Sequence, residues 1–342
     1  MKVLAETGLT FDDVLLRPRK STIPSRRDQS IDLSTQLVPG IELQYPIISA
    51  NMDTVTHREM AMTMMELGGL GIVHRFMERE QQHIVLRDAG AKPTVVCIGL
   101  GKQGQWRLDE TMDLAPAAVL IDVAHGHCKG VIEQIKWSKK QYPALPVIAG
   151  NVATSEGAAD LIEAGVNCIK VGVGPGSLCT TRIQTGCGVP QLSAIMDVAE
   201  CCDYAQKGTT IIADGGIRSS GDIAKALAAG AQAVMIGGLF AGTDEAPGDI
   251  RADANGTMYK TYRGMASRDA QEDWKGTAYS VEGESKKVPY RGPIKKIFDN
   301  LIARLCSSMT YLNARSIREF QENAIFQRQT YAGYRESTPH GL

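Results

Sequence analysis

Eight short β-rich runs recur along the chain, at 46–52, 69–74, 93–99, 117–123, 146–152, 168–174, 210–216 and 233–238, and their spacing limits the fold more than any other feature. Between most of them lie amphipathic helical patterns, such as 155–164 and 220–229, each closing on a glycine that can take the left-handed conformation. Near-continuous apolar strands alternating with helices predict a parallel sheet covered on both faces. Eight such units fit a closed (β/α)8 TIM barrel, with a doubly wound open sheet as the alternative. The rhythm breaks twice, between the sixth and seventh runs and again after the eighth, where 241–293 carries no clear helix or strand pattern. Long loops at the strand ends of a barrel are usually functional. The expected organisation is one α/β domain over 1–342, with an amino-terminal arm, a flap at 241–293 and a carboxy-terminal tail at 327–342.

Composition narrows the ligand. With 43% hydrophobic residues the chain can bury a large core, and a formal net charge of −1 offers no bulk attraction for nucleic acid or a membrane surface, so recognition must be local. No apolar run approaches membrane-spanning length, and Met1-Lys2-Val3-Leu4-Ala5-Glu6 lacks the layout of a signal peptide, which makes a cytoplasmic location the expectation. The eight cysteines, at 97, 128, 168, 179, 187, 201, 202 and 306, form no zinc-type pairs and are too sparse for a secreted disulfide scaffold. Cys97 and Cys168 lie inside strand-like runs and read as small buried apolar residues.

Cys179 is different. Gly174-Pro175-Gly176-Ser177-Leu178-Cys179-Thr180-Thr181-Arg182 places a thiol on a glycine-rich loop at a strand end, where backbone N–H groups can hold an anion and nothing bulky shields the sulfur. A nucleophilic cysteine would sit there. Asn51-Met52-Asp53, Asp122, Asn151, Asp214 and Gly237-Gly238 also fall at strand ends, on the same rim. Gly215-Gly216 and Gly237-Gly238 follow adjacent strands at the usual place for a barrel phosphate site, although each pair alone could simply make a tight turn. An aspartate between a strand and that phosphate can accept hydrogen bonds from ribose hydroxyls, which points to a nucleotide.

Together with Asp214-Gly215-Gly216-Ile217 and Tyr262-Arg263-Gly264-Met265, the Cys179 loop resembles the purine-nucleotide barrel family of IMP dehydrogenase and GMP reductase, over nearly the whole chain. The resemblance implies that Cys179 attacks the purine carbon between two nitrogens, giving an adduct that can lose a hydride or an amine. It places the nucleotide among Ser49, Met52, Asn151, Gly176, Ser177, Asp214, Gly216, Gly237, Gly238, Tyr262, Gly264 and Met265. The nicotinamide cofactor would lie extended along the barrel mouth by Asp122, Ala124, Gly172 and Gly174, because no GxGxxG follows a strand as a Rossmann unit requires. Carbonyls of Gly174, Gly176 and Cys179, with Glu336 from a neighbouring subunit's tail, would bind potassium, and the family assembles as homotetramers or octamers. His125 and His127 lack a carboxylate in register for a metal site.

Within the family the sequence leans to the reductase. The dehydrogenase flap carries an arginine–tyrosine pair that activates water; here 265–282 holds Arg268 as its only arginine, too near Met265 to match. Thr181 and Glu282 match the reductase's proton-relay pair, and Asn51 and Thr310-Tyr311 are further reductase-like marks. The expectation is an NADPH-dependent GMP reductase, with an NAD-dependent IMP dehydrogenase lacking a regulatory module and a non-catalytic purine-nucleotide sensor as the alternatives. The tail Arg335-Glu336-Ser337-Thr338-Pro339-His340 and the stretch 214–229 look more like a bacterial dehydrogenase, and Ala266 departs from both patterns. Only one helix fits between 75 and 93, where a regulatory module commonly interrupts the dehydrogenase barrel.

Overall fold

A computed structural model describes residues 3–339. Every expected run forms a strand: β1 (Ile47–Ser49), β2 (Leu70–Gly71), β3 (Val95–Ile98), β4 (Ala118–Asp122), β5 (Val147–Val152), β6 (Cys168–Val171), β7 (Thr210–Asp214) and β8 (Ala233–Ile236). They form one parallel eight-stranded sheet in the order β2-β1-β8-β7-β6-β5-β4-β3. Chain neighbours are sheet neighbours, β2 and β3 excepted, and β8 pairs with β1, the curled topology of a (β/α)8 barrel. The strands are apolar throughout because both faces are buried; Val96, Cys97, Ile98, Val119, Leu120 and Ile121 have no exposed surface.

The seam lies between β2 and β3, at the two ends of the hydrogen-bonded order. A buried glutamine bridges it. Gln82, on α2 (Arg79–Ala89), donates from Nε2 to the His74 carbonyl at 3.3 Å and the Cys97 carbonyl at 3.0 Å. Arg107, on α3 (Gly101–Thr111), donates to Gln82 Oε1 at 2.8 Å and fixes the amide's orientation. Only residues 90–94 separate α2 from β3, so no module interrupts this barrel there.

The outer helices end where the sequence says they should. Thr154 accepts from the Gly157 N–H to cap α5 (Ser155–Ala164), and Gly165 at φ +101° closes it. Ser219 caps α8 (Ser220–Ala228) in the same way. The flap departs from expectation, because 241–293 is folded. β9 (Arg251–Ala252), β10 (Met258–Arg263) and β11 (Ser285–Pro289) make an antiparallel sheet, and α9 (Arg268–Lys275) lies between the last two. Their residues are largely polar, so no periodic apolar signal marks them; β11 reads Ser-Lys-Lys-Val-Pro. Long-range contacts fix them instead, including the buried Lys260 ammonium, which donates to the carbonyls of Thr243 at 2.8 Å and Ala246 at 2.5 Å. The arm and tail also meet, through antiparallel pairing of Val14–Leu16 with Phe326–Arg328. Among the described residues, no helix is long and apolar enough to cross a membrane.

Candidate active site

The loop after β6 begins with a close approach. A Cβ at Gly172 would lie 2.1 Å from the Asp214 carbonyl, so only glycine lets the end of β6 meet the end of β7. Arg182 then ties the loop's two limbs together, donating to the Val173 carbonyl at 3.1 Å and to the Val189 carbonyl. At the tip, the Cys179 N–H bonds the Gly176 carbonyl at 3.0 Å, and the half-buried thiol faces Thr181 Oγ1 at 3.2 Å. Thr181 Oγ1 donates to Glu282 Oε2 at 2.8 Å. A hydroxyl that gives its proton to the carboxylate can accept one from the thiol, so the three groups form a line along which a proton can pass.

Glu282 reaches this position through backbone pairing. The Thr180 N–H donates to the Glu282 carbonyl at 2.9 Å, the Glu284 N–H to the Leu178 carbonyl at 3.0 Å, and the Glu282 N–H to the Ala266 carbonyl at 3.1 Å. The end of the flap therefore runs strand-like along the Cys179 loop.

On the opposite wall, Lys170 bonds Asp122 Oδ1 at 2.9 Å and Asp214 Oδ2 at 2.5 Å. Asn51 Nδ2 donates to the other Asp122 oxygen at 2.9 Å, and Asn151 Nδ2 to Asp214 Oδ2 at 2.9 Å. Burial opposes the charge on both Lys170 and Asp122, yet their attraction wins: the lysine is held above its ordinary value and the Asp122 carboxyl below its own. Arg75 donates to the Asp122 backbone carbonyl at 3.2 Å. Its guanidinium lies 4.6 Å from the Phe76 ring centroid and 5.9 Å from that of Trp274, joining α9 to the loop after β2.

Bare backbone forms the third wall. A Cβ at Gly237 would lie 2.7 Å from the Tyr262 hydroxyl, and one at Gly238 would lie 3.2 Å from Ser177 Oγ. Glycines here let Tyr262 and Ser177 close on the ends of β7 and β8, where Gly216 also sits; burial pushes the Tyr262 hydroxyl up, keeping it a neutral donor.

These walls enclose a cavity of about 500 Å³. Met52, Asp122, Ala124, Asn151, Gly172, Gly174, Gly176, Ser177, Cys179, Thr181, Asp214, Gly216, Gly237, Gly238, Tyr262, Gly264, Met265 and Glu282 all line it. Ser49 does not, because it is fully buried and its Oγ accepts from Thr56 at 2.8 Å. Glu336 ends an exposed helix, Tyr331–Glu336, which packs by the turn Phe11–Asp13. His340 lies outside the described residues. His127 is bonded to Asp160 at 2.9 Å, and no cluster suited to a metal ion occurs among the described residues. Burial pushes the Cys97 and Cys168 thiols up to about 12 each, as inert core residues require.

Sequence reasoning missed Lys170, Arg75, Trp274, Lys275 and Tyr279, which also line the cavity. A signal existed for Lys170, a lone charge inside an apolar strand run, and a lysine there must have a buried partner.

The family model described as "IMP dehydrogenase / GMP reductase domain" matches residues 8–340. The chain belongs to that family. An inosine-5'-monophosphate dehydrogenase of Borreliella burgdorferi is 37% identical over 403 residues, covering 99% of this chain and 98% of that protein. Those of Halalkalibacterium halodurans and Bacillus subtilis are 35% and 33% identical, each covering at least 98% of this chain and 96% of the relative. The alignments run to 403, 472 and 477 residues against a 342-residue chain, so these family members carry inserted segments that this one lacks.

Proposed function

We propose that the chain is an NADPH-dependent GMP reductase, converting GMP to IMP and ammonia through a thioimidate on Cys179. The observation that carries this reading is the line from the Cys179 thiol through Thr181 to Glu282, beside a 265–282 segment whose one arginine, Arg268, faces solvent. The sulfur adds to guanine C2, and collapse of the adduct expels the 2-amino group, which must gain a proton to leave as ammonia. Thr181 and Glu282 stand where that proton is needed. NADPH supplies a hydride to C2, after which the C2–S bond breaks, freeing Cys179 and leaving IMP. GMP, NADPH and two protons thus give IMP, NADP+ and ammonium.

The residues present fit a dinucleotide. Asp122, Ala124, Gly172 and Gly174 offer a carboxylate beside a wall without bulky side chains. The cavity also shares Arg75, Phe76 and Trp274 with an adjoining one of about 1000 Å³. An extended cofactor would run along both.

A dehydrogenase must activate water at the same intermediate. Arg268 is paired with Glu272 at 3.6 Å with its side chain 69% exposed. The names of the relatives favour this second reading, an IMP dehydrogenase forming XMP with NAD. It needs a flap base other than arginine, and Lys275 is the flap cation on the cavity. Two parallel assays with potassium present separate the readings. Loss of NADPH with GMP, matched by ammonia, supports the reductase; NADH formed from IMP and NAD sinks it. Silence in both, with nucleotide bound, marks a binding protein without turnover.

A further inference from the structure

Lys170 occupies the middle of β6, a strand otherwise apolar, with its side chain 4% exposed. Its two carboxylate partners come from different strands, Asp122 from β4 and Asp214 from β7. Each carboxylate has a further protein donor, Asn51 on Asp122 and Asn151 on Asp214, which fixes its rotation. Facing the trio are the Arg75 guanidinium from the loop after β2, the Cys97 thiol on β3 and the Tyr262 hydroxyl on β10. Without the ammonium, two like charges would share a largely buried site, and one would take up a proton.

We propose that Lys170 is a positioning residue for both ligands at once: its ammonium holds the carboxylate facing the nucleotide and the carboxylate facing the cofactor, so the two binding halves share one counter-ion. This rests on the purine-nucleotide reading above, in which Asp214 and Asp122 face those two ligands. Lys170 lines the cavity, and it acts on the ligands through the two carboxylates. The unused lone pairs of each carboxylate remain for ligand hydroxyls, aimed by bonds on the protein side.

The test is equilibrium binding of GMP and, separately, NADPH to wild type and Lys170→Met by titration calorimetry from pH 5.5 to 8.5. Both dissociation constants are expected to rise roughly tenfold or more in the variant. The variant-to-wild-type ratio should shrink as pH falls, because protonating one carboxylate relieves the repulsion; taking the ratio cancels titration of the phosphates. A merely structural lysine would leave that ratio flat. Wild-type affinity for both ligands, loss of only one, or a flat ratio overturns the proposal. Should K170M fail to fold, K170M/D122N is compared with D122N, since the double variant carries no carboxylate pair. The added substitution is expected to weaken GMP binding further, and equal affinity overturns the idea. If wild type binds neither GMP nor IMP, the purine reading falls and takes this inference with it.

Discussion

Replacing Glu282 with glutamine tests the proton line at its least disruptive point. The amide oxygen can still accept from Thr181 Oγ1, now at 2.8 Å from the carboxylate, so the geometry survives while the charge and the basic site are lost. General acid–base catalysis contributes roughly 10²–10⁴-fold, and a residual hydroxyl at Thr181 puts the expected loss toward the lower end. We expect kcat for GMP reduction to fall about 10²–10³-fold, equivalent to about 3–4 kcal/mol of barrier. KM for GMP should move by less than about threefold, because interactions made only in the transition state lower kcat alone. The decisive assay separates two half-reactions. Ammonia release from GMP needs a proton on the departing nitrogen; hydride transfer from IMP to NADP+, which forms the same thioimidate in reverse, has no leaving amine and, run at alkaline pH where a thiol ionises without a base, does not need the line. Glu282→Gln should cripple the first and leave the second within a few-fold. Equal losses in both would refute the relay and make Glu282 a prop for the Cys179 loop.

Three further outcomes follow from the packing and burial. Gly237→Ala places a Cβ 2.7 Å from the Tyr262 hydroxyl, so KM for the nucleotide should rise about tenfold with kcat less affected, and an unchanged KM would remove Tyr262 from the binding wall. Gln82→Leu strips the donor from two buried carbonyls at the barrel seam and should cost about 2–4 kcal/mol, read as a melting temperature lower by several degrees; no change would mean that the seam does not need the bridge. His74 is buried, and burial with neighbouring His57 depresses its ring from an ordinary 6.5 to about 3, while its Nδ1 accepts from the Phe76 N–H at 3.2 Å. Its folded value being the lower one, the unfolded chain binds the proton more readily, so this contribution is complete above pH 6.5 and lost as pH falls toward 3. His74→Gln should flatten the melting temperature against pH between 6.5 and 4, and parallel curves for the two proteins would contradict the assignment.

Much of the barrel was legible because its signals are local. A strand buried on both faces must be apolar along its length, and a helix over it must carry an apolar stripe and a stop; both leave a mark within a short window. Cys179 stood out for the same reason, since a thiol between Gly174-Pro175-Gly176 and Thr180-Thr181 cannot sit inside a strand or helix. The flap escaped because its strands are half-exposed and charged, and antiparallel pairing of Lys286 with Tyr262 is invisible in either segment alone. Ser49 shows the opposite limit: the family resemblance placed it with the nucleotide, but it is fully buried and its hydroxyl is bonded to Thr56, away from the cavity.

The sequence alone determined the architecture and the family, through period, caps and one unusual loop. Only the tertiary structure decided which chemistry meets. Thr181 and Glu282 are 101 residues apart and share a hydrogen bond because the flap pairs with the Cys179 loop. Lys170, Asp122 and Asp214 come together because β4, β6 and β7 bring them into one barrel interior, where a buried charge persists only beside its opposite. Local pattern fixes what each segment can become; the pairing of distant charges is settled by closure of the ring.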